Sequence, residues 1–140
     1  KGVNLILPID SVNAKRFNNN AKIINSNISN INQEYMGLDI GIKSIEKFSE
    51  IILKSKTIVW NGPMGVFEMK NFQAGTKLVG DAICRATKNG AFSLVGGGDS
   101  VSAVNQFNLN KEISYLSTGG GAMLEFLEGK KLPGVEAILD

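Results

Sequence analysis

Histidine is absent from the 140 residues. That removes a Ser-His-Asp triad and any histidine-based acid–base or metal chemistry from within this chain. Cysteine occurs once, at Cys84, so no internal disulfide can form and a reducing, cytoplasmic compartment is expected. Cys84 falls in a helical pattern and reads as a packing residue. Charge of neither sign dominates: 15 basic residues face 13 acidic ones, for a net +2. The basic side chains gather into no patch, so nucleic acid is not indicated as a partner. No apolar run approaches the roughly 20 residues that span a bilayer. No signal peptide is visible, because the first apolar stretch ends in Pro8 and Asp10 rather than in small residues. Chemistry here must work through carboxylates, backbone groups, a bound metal or residues supplied from elsewhere.

What the chain does have is alternation. Strands are expected at residues 3–7, 22–25, 56–60, 91–95 and 113–116. Helices are expected at 42–53, 74–88, 100–107 and 122–127. Ile42, Ile45, Phe48 and Ile52 mark the first helical stripe. Gly90 and Gly129 read as left-handed helix stops. Strand–helix alternation predicts right-handed crossovers and an α/β fold, a Rossmann-like three-layer α/β/α arrangement with a mostly parallel sheet covered on both faces. The Asn-rich stretch 18–32 reads as surface loop. The abrupt start in an apolar run, at Lys1 rather than Met, reads as a fragment of something longer.

Three strand ends stand out in composition: Asn61-Gly62-Pro63-Met64-Gly65, Gly96-Gly97-Gly98-Asp99-Ser100 and Thr118-Gly119-Gly120-Gly121. Ligands of open α/β sheets bind at the carboxyl ends of strands. The second and third turns lie one βα unit apart and are expected to open onto one crevice. Glycines at a helix start let backbone N–H groups approach an anion, and the helix dipole adds about half a positive charge. Two such turns on consecutive units favour phosphate over tight turning alone. Neither is a Walker loop or a GxGxxG fingerprint, and neither carries Lys or Arg. Asp99 suits Mg²⁺ on phosphate oxygens, although an N-cap role would use the same residue type. Glu68 follows Val66 and Phe67, an apolar pair beside an acid. That combination suits an adenosine, with ring on apolar groups and ribose hydroxyls on the carboxylate; standing alone, Glu68 reads as a solvated surface acid.

VWNGPMGVFE (59–68), GT (75–76), GGGDS (96–100) and STGGGAMLEFLEGKKLPGV (117–135) resemble phosphoglycerate kinases in order and spacing. LPID (7–10) and YMGLDIG (35–41) look like further segments of that family, so the resemblance spans essentially the whole chain. It implies the carboxyl-terminal portion of a two-domain enzyme that moves a phosphoryl group between 1,3-bisphosphoglycerate and Mg-ADP in glycolysis. Residues 1–131 would be the latter part of the nucleotide-binding domain, and 132–140 a tail returning to the amino-terminal domain. By the same resemblance, Gly37, Leu38, Pro63 and Val66 line the nucleotide pocket, Asn61 approaches the phosphates and Glu68 binds the ribose. Asp99 binds the metal, Gly97, Gly98 and Ser100 meet the phosphates, and Thr118, Gly119, Gly120 and Gly121 stabilise the transferring group. Implied ligands are ATP or ADP with Mg²⁺, and 3-phosphoglycerate or 1,3-bisphosphoglycerate; the implied partner is the amino-terminal domain, in a monomer bound to neither membrane nor nucleic acid. The lysines that neutralise ATP and the basic patch for the acid substrate belong to parts of the family not present in these residues. Ile42 stands where the family often has proline, and Met123 where it commonly has a smaller polar residue.

Overall fold

A computed structural model describes residues 2–139. Six strands form two sheets: β1 (Asp10–Ala14), β2 (Ile23–Asn27), β3 (Met36–Ile40), β4 (Thr57–Asn61), β5 (Phe92–Gly96) and β6 (Tyr115–Ser117). The helices are α1 (Ile42–Lys54), α2 (Ala74–Lys88), α3 (Gly98–Gln106), α4 (Gly120–Leu127) and the single turn α5 (Pro133–Glu136). Sheet order is β2-β1-β3, wholly antiparallel, and β4-β5-β6, wholly parallel. The α/β class with a parallel sheet is thus as expected.

The antiparallel sheet is an addition that the alternation of apolar runs did not predict. β1 reads DSVNA and starts at the last residue of LPID, and β3 lies in YMGLDIG; polar and glycine residues interrupt any period of two in both. Asn13 shows why such a strand still holds: its buried amide donates to Ser11 O, Ile24 O and Ser26 Oγ, at 3.1, 3.1 and 2.9 Å. β2 confirms the strand expected at 22–25 within the Asn-rich stretch, although that stretch is not loop throughout.

Residues 3–7 are a correction in the other direction, because they form no strand. Val3, Leu5 and Leu7 are exposed, and no neighbour pairs with them among the described residues. Apolar composition alone does not make a strand; a ladder partner does.

α1 follows its stripe except at Ile42, which is exposed in the first turn; Ile45 is buried, and Phe48 and Ile52 pack on the main core. Its N-cap, Gly41, brings no capping side chain, and Asp10 supplies one from β1. The Asp10 carboxylate accepts from Lys43 N at 3.0 Å, Ser44 N at 2.8 Å and Ser44 Oγ at 2.6 Å. Burial pushes this carboxyl up, but the Ser44 and Lys43 hydrogen bonds outweigh it and hold the group below its usual range. Gly41 leaves room for this carboxylate, since a Cβ would lie 2.3 Å from the Asp10 carboxyl carbon. α2 buries Val79, Ile83, Cys84 and Ala86, and ends at Gly90 with φ +94°. Cys84 is buried as expected, and burial, with Glu112 and Asp81 adding to it, raises its thiol to about 11. It is therefore an unreactive packing group.

Right-handed crossovers that step β4 to β5 to β6 in one direction place α2 and α3 on the same face. That face carries Ile58, Trp60 and Val95 into a core with Val79, Ile83 and Val104. The opposite face meets α4 at its carboxyl end, where a Cβ on Gly96 would strike Met123 Cε at 2.3 Å. This gives three layers at the functional end. Farther down the strands Val59, Phe92 and Tyr115 remain 45%, 51% and 60% exposed. Cover on both faces is therefore incomplete, because a second helical layer needs a reversal of strand order that these three strands do not contain.

The tail after Gly129 (φ +81°) forms the short α5, and Ile138 and Leu139 stay exposed. Asp140 and Lys1 lie outside the described residues.

Candidate nucleotide site

Register decides how the three turns meet. Asn61 pairs with Gly96 across β4 and β5, and Gly96 pairs with Ser117 across β5 and β6. The parallel strands end in line, so all three turns emerge side by side. Gly97 N donates to Ser117 O at 3.3 Å. A Cβ on Gly120 would lie 2.4 Å from Gly97 N and 2.5 Å from Gly97 Cα. The second and third glycine turns therefore touch backbone to backbone, in one crevice, as their spacing predicts. Asn61 completes the group, its Oδ1 standing 3.1 Å from where a Gly97 Cβ would be.

Both helices begin inside the glycine runs, earlier than expected. Gly97, with φ +93°, is the N-cap of α3, and Gly119 that of α4. Neither cap brings a side chain, so the first-turn N–H groups at each helix start have no capping acceptor. This corrects the capping alternative for Asp99. It sits one residue into α3, exposed, and makes no hydrogen bond or ion pair among the described residues. Ser100 differs from its expected place as well: it is fully buried, and its Oγ accepts from Gly62 N at 2.7 Å. What it can offer an anion is its backbone N–H, while its hydroxyl ties the first turn to the second. Gly98 and Asp99 are exposed at the start of α3, and Thr118, Gly119 and Gly121 are exposed around the start of α4.

A second part of the site is more apolar than polar, with Ser11 and Asp39 also in its lining. Gly37, Leu38, Pro63 and Val66 line one cavity of about 360 Å³, together with Ile28 and Ile31. The four residues assigned to a nucleotide pocket are thus brought together, although they come from β3 and from the turn after β4. Val66 N donates to Leu38 O at 2.9 Å and joins the two segments. Glu68 is exposed beyond Val66 and is not among the lining residues. Phe67, taken from the sequence as surface beside that acid, is buried, and its carbonyl accepts from Gln106 Nε2 at 2.9 Å. Only Val66 presents an apolar face there.

Sequence reasoning passed over Asp39. This buried carboxylate is itself part of the lining of that cavity and accepts from Ile40 N and Gly75 N, both at 2.8 Å. Burial raises its pKa to about 6, against the lowering effect of those two bonds. The folded protein therefore holds this proton more tightly than the unfolded chain, whose carboxyl titrates near 3.8. Between those values the folded state binds more protons, so Asp39 makes stability fall as pH rises from about 4 to 6 and contributes no further change above that. The full swing is on the order of 3 kcal/mol. Asp39→Asn is expected to remove it. Urea titrations of both proteins from pH 4 to 7 would show their stability difference changing with pH, and a constant difference would exclude a buried, titrating Asp39.

No group of three or more metal-ligating side chains occurs among the described residues. Asp99 is the one carboxylate at the phosphate-suited turns. It fits Mg²⁺ only if ligand oxygens and water complete the shell, which is how Mg²⁺ on nucleotide phosphates is ordinarily held.

The comparisons with known proteins agree with this arrangement. A family model described as Phosphoglycerate kinase matches residues 1–130. A phosphoglycerate kinase of Porphyromonas gingivalis is 60% identical over 99% of this chain, and one of Schistosoma mansoni 51% identical over all of it. The structure of phosphoglycerate kinase from Coxiella burnetii aligns with TM-score 0.86 at 40% identity over 94% of this chain, and that from Pyrococcus horikoshii OT3 with 0.79 at 36%. The chain spans about a third of the length of these relatives, 33% for the Porphyromonas protein and 34% for the Schistosoma protein. Among the described residues no helix is long and apolar enough to cross a membrane. With the glycine turns, the apolar cavity and the likeness in sequence and structure all in agreement, the chain belongs to the phosphoglycerate kinase family.

Proposed function

We propose that these residues are the carboxyl-terminal, nucleotide-binding portion of an enzyme that interconverts 1,3-bisphosphoglycerate plus Mg-ADP and 3-phosphoglycerate plus Mg-ATP. In the forward direction a terminal oxygen of ADP attacks the acyl phosphorus. The bond from that phosphorus to the carboxyl oxygen breaks, and the carboxylate leaves with its electron pair. Such a transfer needs positioning and charge neutralisation more than a general base, which suits a chain without histidine. The observation that carries the reading is the in-line ending of β4, β5 and β6, which sets two uncapped helix starts beside the cavity lined by Gly37, Leu38, Pro63 and Val66.

Within that reading, Pro63 and Val66 flank the adenine and Glu68 accepts from the ribose hydroxyls. Asn61, Gly97, Gly98 and the Ser100 N–H meet the phosphates. Asp99 holds Mg²⁺, which supplies counter-charge to the phosphate oxygens. Thr118 and Gly119 to Gly121 present N–H groups to the transferring phosphoryl group. The two-domain protein also supplies what these residues lack: lysines for ATP, the site for the acid substrate, and cover for Val59, Phe92 and Tyr115. Residues 1–131 are the domain portion, and 132–140 the tail that returns to the amino-terminal domain. A cytoplasmic, monomeric glycolytic enzyme is the expected setting. Residues 1–140 alone would act only as a weak adenine-nucleotide binding module.

Glu68→Gln in the full-length protein tests the reading, because it keeps shape and removes charge. The KM for ADP is expected to rise by an amount worth about 1–3 kcal/mol, with the KM for 1,3-bisphosphoglycerate unchanged. Absence of ADP-dependent turnover in the unsubstituted full-length protein would sink the reading itself. Equal changes in both KM values would remove Glu68 from the ribose.

A further inference from the structure

The turn after β4 supplies two walls of the apolar cavity, yet it belongs to no helix or strand. Its backbone donors can be accounted for one by one. Gly62 N goes to Ser100 Oγ of α3 at 2.7 Å. Pro63 has no donor. Met64 N and Gly65 N both go to Thr76 Oγ1, at 3.0 and 3.2 Å. Val66 N goes to Leu38 O of β3. Three different elements therefore hold five residues, and one fully buried hydroxyl accepts two adjacent amides.

Thr76 is itself located by the carboxylate next to it. Asp39 Oδ2 accepts from Gly75 N and anchors the first turn of α2 to β3. Space around that carboxylate is nearly exhausted. A Cβ on Gly65 or Gly75 would come within 2.3 or 2.2 Å of Asp39 Oδ1. The turn, the helix start and β3 thus close on a single buried acid, and only glycines allow the approach.

We propose that Thr76 is a positioning residue for nucleotide binding: held in place through Asp39 and Gly75, it sets the backbone of the turn that carries Pro63 and Val66 without itself lining the cavity. The proposal rests on the nucleotide-site reading above. Thr76 faces the turn from behind, with its hydroxyl occupied by Met64 and Gly65 amides. Loss of that oxygen frees both amides and lets the Pro63–Val66 wall relax, whereas α2 keeps its core contacts through Val79 and Ile83. The defect should therefore appear in nucleotide affinity and hardly at all in the chemical step.

The test uses the full-length enzyme with Thr76→Val, which deletes the acceptor at nearly constant volume, and Thr76→Ser, which keeps it. Thr76→Val is expected to raise the KM and the directly measured Kd for ADP about tenfold, as two neutral hydrogen bonds allow. The kcat at saturating ADP and the KM for 1,3-bisphosphoglycerate should stay within about twofold, and Thr76→Ser should restore ADP affinity. Should Thr76→Val fail to fold, Thr76→Ala, which also deletes the acceptor of the Met64 and Gly65 amides, carries the same expectation. An unchanged ADP affinity in the folded variants, or a loss that Thr76→Ser shares in full, overturns the positioning role while the nucleotide site stands. Failure of the unsubstituted enzyme to bind ADP at all removes the nucleotide site, and the positioning role with it.

Discussion

Asp99→Ala in the full-length enzyme is expected to lower kcat on the order of 100-fold or more, the scale seen when one charge-stabilising group is removed from a reacting centre. The fold should hardly respond. The N-cap of α3 is Gly97, and Asp99 makes no hydrogen bond among the described residues, so no cap is lost. What disappears structurally is an acid near a helix N-terminus, worth about 0.3–1 kcal/mol. Mg²⁺ should also be needed at higher concentration, because the nucleotide-bound ion loses its protein oxygen. Thermal midpoint and Mg²⁺-dependent rate, measured on one preparation, separate the alternatives. A fall in stability of several kcal/mol with turnover intact would make Asp99 structural and end its assignment to the metal.

Gly120→Ala should be strongly damaging. Its Cβ would sit 2.4 Å from Gly97 N, with 3.0 Å the limit real contacts respect, and the obstacle is backbone that cannot rotate away. Either α4 withdraws or the turn at Gly97 moves, and both separate the two helix starts that the proposed transfer needs together. Overpacking of this kind costs about 1–3 kcal/mol in stability. Turnover should fall further, by about 100-fold, since a displacement of an ångström spoils alignment at a reacting centre. Gly121→Ala is the control: nothing lies within 4 Å of its Cβ, so it should fold and melt like the parent. Gly121→Ala controls for folding only; parent-like turnover in Gly120→Ala would show that contact between the glycine turns does not matter for catalysis.

Much of the parallel half of the fold was legible from local signals. The span expected for α2 coincides with the observed helix, and both glycine stops take positive φ. β4, β5 and β6 lie within one or two residues of expectation because each is a short apolar run closed by turn residues. Helix starts were less legible. The glycine runs look like loops by composition, yet Gly98 and Gly120 are already helical, a choice made by contacts with Ser117 and Gly97 rather than by propensity.

The sequence by itself determined the α/β class, the order of the parallel strands' elements, and which turns have the chemistry to meet phosphate, because these follow from residue types at short range. Tertiary structure alone decided three other matters. It paired β1 with β2 and β3, since strands of mixed polarity are specified by partners such as the Asn13 amide and not by alternation. It left residues 3–7 without a ladder despite their apolar run, for want of a neighbouring strand among the described residues. It also buried Asp39 and Thr76 behind the Pro63–Val66 turn, 24 and 13 residues away from Pro63 along the chain. No local pattern marks a carboxylate whose partners are glycines of other elements; its environment exists only once β3, the turn and α2 have closed around it.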